Sequence, residues 1–269
     1  MELSVSNIAW PAELDQRAYA LLAERGVRAI EVAPTRVWPN WAGIDDAAIA
    51  AFTAHASAHG LRCSSLQSIL FAKPELQLFG EGSAMEQHLV YCAELAGRLG
   101  AGPLVFGAPK NRLRGELPFD DAFARAVDIF RRVAPAYQAN GVVLCMEANP
   151  ADYGCDFVTR ASEAAELVRA VDHPGFRLHL DTACALLAGE DIGPLIESNA
   201  DILAHFHISE PMLGSFAAPE AHHARAAEVL SAIGYRRTLA IEMRTQQDTL
   251  PAIGTAIEFA QATYGKAGA

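Results

Sequence analysis

Short segments of β-branched or apolar residues recur eight times along the chain, separated by alanine-rich stretches whose apolar residues fall at three-and-four spacing. No other feature narrows the fold as much. The segments are LSVSNI from Leu3, RAIEVA from Arg28, RCSSLQS from Arg62, PLVFGA from Pro103, VVLCMEA from Val142, RLHLDT from Arg177, ILAHFHIS from Ile202 and TLAIEM from Thr238. The intervening periodicity predicts helices over residues 13–24, 45–59, 83–99, 119–139, 161–171 and 221–233, with a short one near 193–197. Several close on a glycine, at Gly26, Gly60, Gly100 and Gly141, as helices do before turning into a strand. Eight such units in 269 residues match the count and size of an α/β (β/α)8 TIM barrel. A doubly wound open sheet would carry a glycine-rich phosphate loop after its first strand, and SNIAWPAE has no glycine. No linker, charge block or low-complexity segment divides the chain. One barrel domain over residues 1–269 is therefore expected, with the terminal YGKAGA as a frayed tail.

Composition removes several function classes. The net charge of −11 gives a surface that repels phosphate backbones, so nucleic acid is not an expected partner. No apolar run reaches the ~20 residues of a membrane span, and MELSVSNIAW lacks the basic stretch and apolar core of a signal peptide. A cytoplasmic protein without membrane contact is the expectation. The five cysteines, Cys63, Cys92, Cys145, Cys155 and Cys184, are scattered and contain no CxxC pair, which points to reduced thiols.

In a barrel the chemistry sits at the C-terminal ends of the strands. The second half of the chain places a polar group there four times in succession: Glu147 in MEAN, Asp181 in HLDT, His207 in HFHIS and Glu242 in IEMR. A carboxylate set between Met146 and Ala148, or between Ile241 and Met243, is costly to bury without a cation or hydrogen bonds. A lone strand-end glutamate is usually an ion-pair partner, and a lone strand histidine a hydrogen-bonded core residue. Four such groups converging from consecutive strands are more economically explained by one divalent ion. Three carboxylates and an imidazole suit Mn²⁺ or Mg²⁺, and less exclusively Co²⁺, whereas structural zinc would want sulfur or more histidine. His205 shares the parity of His207 and is expected deeper in the barrel in a structural role.

The runs MEAN, LHLDT, HFHISE and AIEMR resemble the xylose-isomerase-like sugar isomerase and epimerase superfamily, whose members include ketose 3-epimerases, hydroxypyruvate isomerases and inosose dehydratases. The resemblance spans essentially the whole chain, including a second strand bearing Glu31. It implies one divalent ion held by Glu147, Asp181, His207 and Glu242, namely Mn²⁺ or Mg²⁺ with Co²⁺ or Zn²⁺ as alternatives. There is one departure. Ketose epimerases of this family usually carry a substrate-contacting histidine three residues after the metal-binding aspartate, where this chain has Cys184.

A divalent ion holding two adjacent oxygens of a hydroxy-ketone polarises the carbonyl and stabilises the enediolate formed when the neighbouring C–H loses its proton. Glu147 and Glu242 then serve as the acid–base pair, which covers epimerisation, aldose–ketose isomerisation and dehydration of a keto-inositol. Gln67 and Asn149 are candidate hydroxyl partners on a sugar or sugar-derived substrate. Trp10, Trp38 and Trp41 would form an apolar wall against a sugar face or, alternatively, the contacts of a homo-oligomer. His222 and His223 are either close to the metal edge or a solvated helix start. Lys110, Arg112 and Arg114 after the fourth strand, and Arg244 after Glu242, would clamp a carboxylate or phosphate, the competing reading being ordinary loop charges. Two rivals remain. An apurinic endonuclease needs more histidine ligands and a basic face, and a non-catalytic sugar-binding barrel, suggested by Cys184, is opposed by the retention of both carboxylates.

Overall fold

The computed structural model describes residues 1–265. Eight parallel strands close into a barrel in chain order. They are β1 (Glu2–Ser6), β2 (Ala29–Val32), β3 (Arg62–Leu66), β4 (Pro103–Phe106), β5 (Val143–Met146), β6 (Phe176–Asp181), β7 (Leu203–Ser209) and β8 (Thr238–Glu242). β8 pairs back onto β1, so no strand is left as an edge. All eight coincide with the predicted segments.

The outer layer consists of α1 (Asp15–Glu24), α2 (Pro34–Val37), α3 (Asp46–Ala58), α4 (Ala84–Leu99), α5 (Phe119–Ala139), α6 (Ala161–Val171), α7 (Thr182–Leu187), α8 (Ile192–Ser198), α9 (His223–Ala232) and α10 (Thr249–Tyr264). α4 ends as its sequence indicates: Gly100 takes a φ of 69° and donates its N–H to the carbonyls of Ala96 and Gly97. Strand alternation divides the barrel into two kinds of space. On β7, Phe206 and Ile208 face outward, and Phe206 reaches Tyr264 of α10. His205, His207 and Ser209 face inward on the alternate positions. All seven residues of β7 are buried, as in a strand covered by helices on one side and by the barrel interior on the other.

Helices α2, α7 and α10 lie outside the predicted ranges, and the expected frayed tail needs correction. α10 was not anticipated because Pro251 and Gly254 interrupt its pattern, yet Pro251 sits in the first turn, where the missing N–H has no helical partner to lose. α7 was also missed, because it starts directly after Asp181, whose side chain caps it by accepting the Cys184 N–H at 2.6 Å. Fraying does not begin at Tyr264, which is 2% exposed and bonds through its hydroxyl to His223 at 2.8 Å. The rest of the expected tail, residues 266–269, lies outside the described residues. The five cysteines are buried and unpaired. Among the described residues no helix is long and apolar enough to cross a membrane.

Candidate metal and active site

His207 Nδ1 lies 3.3 Å from Glu242 Oε2 and 3.7 Å from both Glu147 Oε1 and Asp181 Oδ2. The four side chains singled out on β5 to β8 thus gather at the C-terminal ends of their strands, the three carboxylates around His207 Nδ1, and ligand atoms of Glu147, Asp181 and His207 lie, with one of His179, within 4.8 Å of one another. Register explains the convergence, since Asp181 pairs with His207 and Ser209 with Glu242. Neighbouring residues fix two of the carboxylates. Asp181 accepts the Ser209 hydroxyl at 2.6 Å on Oδ2, and the α7 cap occupies Oδ1. Glu147 accepts Asn149 Nδ2 at 3.0 Å, and Gly107 on the adjacent β4 end leaves room for it: a Cβ there would lie 2.3 Å from Glu147 Oε2.

One layer deeper lies a second polar set in which the sequence assigns a functional role to Gln67 alone. Glu31 on β2 is fully buried and accepts Ser65 Oγ at 2.8 Å, His205 Nε2 at 2.7 Å and Gln67 Nε2 at 3.3 Å. His207 Nε2 stands 2.9 Å from its other oxygen. A carboxylate behind a ligand histidine is the usual way of orienting an imidazole toward a metal. His205 accordingly takes the deeper, structural position expected for it. His179 on β6 also points inward, with Nε2 3.2 Å from Glu147 Oε1. The available signal was its parity with Asp181, two residues on.

Electrostatics match the crowding. Burial works against the charge on Glu31, but His207 and His205 hold its carboxyl well below the usual range. Burial opposes charge on His207 as well, yet Glu31 and Glu242 raise it well above an ordinary imidazole. Burial, with His207 opposing, pushes Glu242 up to about 7. Burial, reinforced by His207 and His205, holds His179 well below its ordinary range, so that ring is neutral. Neither nitrogen of His207 makes a well-aligned hydrogen bond: Nε2 stands beside Glu31, and Nδ1 faces three carboxylates. That donor set fits a divalent cation, which would take the imidazole lone pair and neutralise the carboxylates.

The centre forms the floor of a cavity of about 270 Å³. Gln67, Asn149 and Cys184 line it. The mouth is apolar, built by Ile69, Leu70, Phe71, Pro109 and Leu213, and no described lysine or arginine lines it. The anion clamp is therefore corrected. Arg112 is fully buried, giving its guanidinium to the carbonyls of Gly107 at 2.6 Å, Glu147 at 2.7 Å and Val158 at 3.1 Å. Arg114 bonds to Asp156 and Leu117, while Lys110 and Arg244 are exposed outside the cavity. Trp10 is also no sugar wall: it is buried, bonds Asp15 at 2.7 Å and packs edge-on against Tyr19. Trp38 packs on Phe52 and Trp41 on His88. His222 is exposed at the start of α9, and His223 is held between Glu210 and Tyr264 at 2.5 and 2.8 Å, away from the centre.

Comparison with known proteins agrees with this architecture. Among solved structures, D-psicose 3-epimerase with D-tagatose from Clostridium cellulolyticum H10 superposes with a TM-score of 0.81 at 18% identity, covering 98% of this chain and 99% of that one. L-ribulose 3-epimerase gives a TM-score of 0.81 at 19% identity over 99% and 96% of the two chains. The IOLI protein with a bound zinc atom gives 0.77 at 15% identity over 99% of each. No curated protein matches the sequence. The family model described as the xylose isomerase-like TIM barrel matches residues 19–263, and the chain belongs to that family.

Proposed function

We propose that the chain is a divalent-metal-dependent sugar isomerase or epimerase that moves a proton α to a carbonyl through an enediolate. The approach of Glu147, Asp181 and Glu242, which line the cavity, to within 3.7 Å of His207 Nδ1 carries this reading. These four residues would hold the ion. When bound, a divalent ion of the Mn²⁺ or Mg²⁺ class supplies Lewis-acid polarisation of a carbonyl. Glu147 and Glu242 approach from non-adjacent strands and move the proton, one removing it from carbon and the other returning it. Asn149 Nδ2 keeps Glu147 in place, while its Oδ1, buried and without a partner, is free to accept a substrate hydroxyl. The absence of a cation among the described lining residues favours a neutral sugar over a phosphorylated or acidic one. The epimerases among the structural neighbours support the ketose class.

The test is incorporation of solvent deuterium from heavy water, run over a panel of neutral ketoses and keto-inositols with protein stripped of metal and then reloaded. Label should enter the carbon next to the carbonyl only when metal is present. Gln at Glu147 or Glu242 should lower the rate by ~10²-fold or more. Absence of exchange with every neutral sugar, or near-normal turnover in both Gln variants, would overturn the reading. Loss of water from the labelled product would assign the same centre to a dehydratase.

A further inference from the structure

We propose that His179 is a fifth protein donor to this centre and tilts its preference toward Zn²⁺ and Co²⁺ at the expense of Mg²⁺. The inference rests on the metal-centre reading above. One ligand atom each from Glu147, His179, Asp181 and His207 all lie within 4.8 Å of one another. His179 is 1% exposed, and neither ring nitrogen makes a well-aligned hydrogen bond, although Nε2 stands 3.2 Å from Glu147 Oε1. Its neighbour His205, equally buried, differs in spending Nε2 on Glu31. A buried imidazole without a well-aligned hydrogen bond at either nitrogen is worse than an apolar side chain of the same size, so filling space does not account for it. The strand is adjusted at this residue: the β6–β7 register shifts between Leu178 and His179, an irregularity of the kind that re-aims a side chain. The ring then stands nearly perpendicular to that of His207, with centroids 4.2 Å apart and Nε2 at the Glu147 carboxylate. A second imidazole converts a hard, oxygen-dominated set into a mixed one. Borderline ions gain from nitrogen, whereas Mg²⁺ prefers oxygen and gains little.

The test uses the metals alone. Affinities for Zn²⁺, Co²⁺ and Mg²⁺ are measured by calorimetry or chelator competition in the natural protein, His179→Gln and His179→Leu, with thermal unfolding of each metal-free variant as the folding control. Gln puts an oxygen-bearing amide near the place of Nε2, and Leu removes the donor. Zn²⁺ and Co²⁺ should weaken tenfold or more in both variants while Mg²⁺ changes less than threefold, and the Co²⁺ visible spectrum should shift. Equal changes for all three ions, or superimposable Co²⁺ spectra, overturn the proposal and leave His179 as a neighbour of the Glu147 carboxylate only. X-ray absorption of the Zn²⁺-loaded natural protein needs no variant: two coordinated imidazoles support the proposal and one refutes it. Asp181→Ala separates the two readings, because unchanged metal affinity there sinks the metal centre itself, whatever His179 does.

Discussion

At Gly107 the choice of residue is forced by space alone. Its φ is not among the positive ones, so alanine would fit the backbone, but the added methyl would collide with Glu147 Oε2 at 2.3 Å and crowd Asn149 Oδ1 at 3.4 Å. Gly107→Ala should displace the Glu147 carboxylate by the order of 1 Å, which costs ~10²-fold in turnover when the displaced group does the chemistry. Thermal stability measured alongside should stay close to the natural protein, and full turnover would disprove the role given to Glu147. Arg112 predicts the opposite pattern. Its guanidinium satisfies three buried carbonyls from the β4 loop, the β5 end and the segment before α6. Arg112→Ala strands those acceptors, and urea unfolding should show a loss on the order of 3 kcal/mol or more. The sequence could not separate this arginine from its exposed neighbours, since Lys110, Arg112 and Arg114 share one loop and differ only in what folds over them. Glu147, Asp181, His207 and Glu242 were legible because a charged group inside an apolar strand has few affordable explanations.

The elements were read more completely than their contacts. Eight strands could be located because each is an apolar run between helical periods, and α5 and α6 match their predicted bounds to the residue. α7 has only six residues and no period to detect, and α10 carries a proline and a glycine. Pairing between distant strands is harder to foresee, and Glu31 shows why. On β2 it looks like an ordinary strand glutamate; only barrel closure places it beneath His205 and His207 of β7, 174 residues away for the first of these. There it holds the Nε2 side of His207 and leaves Nδ1 toward the carboxylates. Glu31→Gln keeps the shape but offers an N–H where one imidazole needs an acceptor, so one ring must change tautomer or turn away. Metal affinity should fall 10- to 100-fold by calorimetry in a variant that still folds. Unchanged affinity would mean that Glu31 only satisfies the interior of the barrel.

For the whole molecule, the site couples stability to pH and metal in a direction that can be worked out. Glu242 keeps its proton up to about 7 in the folded, metal-free protein, whereas an unfolded glutamate loses it near ~4.3. Between those values the folded state binds the extra proton, so stability is greatest at the low end and declines as pH rises through the folded value. His207 acts with the same sign. Its folded pKa is raised, and its contribution is full below the unfolded value of ~6.5 and lost as pH climbs through the folded one. Glu31, whose pKa is depressed, works in the other direction below the ordinary glutamate range, and His179 and His205, whose pKa values are lowered, do so below the unfolded imidazole value of ~6.5. Above the unfolded imidazole value only the raised groups still act, so the metal-free protein should unfold at lower temperature as the buffer moves from pH ~6.5 to pH ~8, by several °C. A bound divalent ion reverses the dependence, because it needs the carboxylates ionised and the imidazole neutral and so binds more tightly as pH rises. At a free concentration about 100 times its dissociation constant it adds ~2.7 kcal/mol to the folded state. The gap between the melting temperatures of metal-loaded and metal-free protein should thus widen steadily from pH ~5 to pH ~8. Parallel melting curves across that range would show that the ion does not bind at Glu242 and His207, and would remove the centre from which the proton-transfer chemistry is derived.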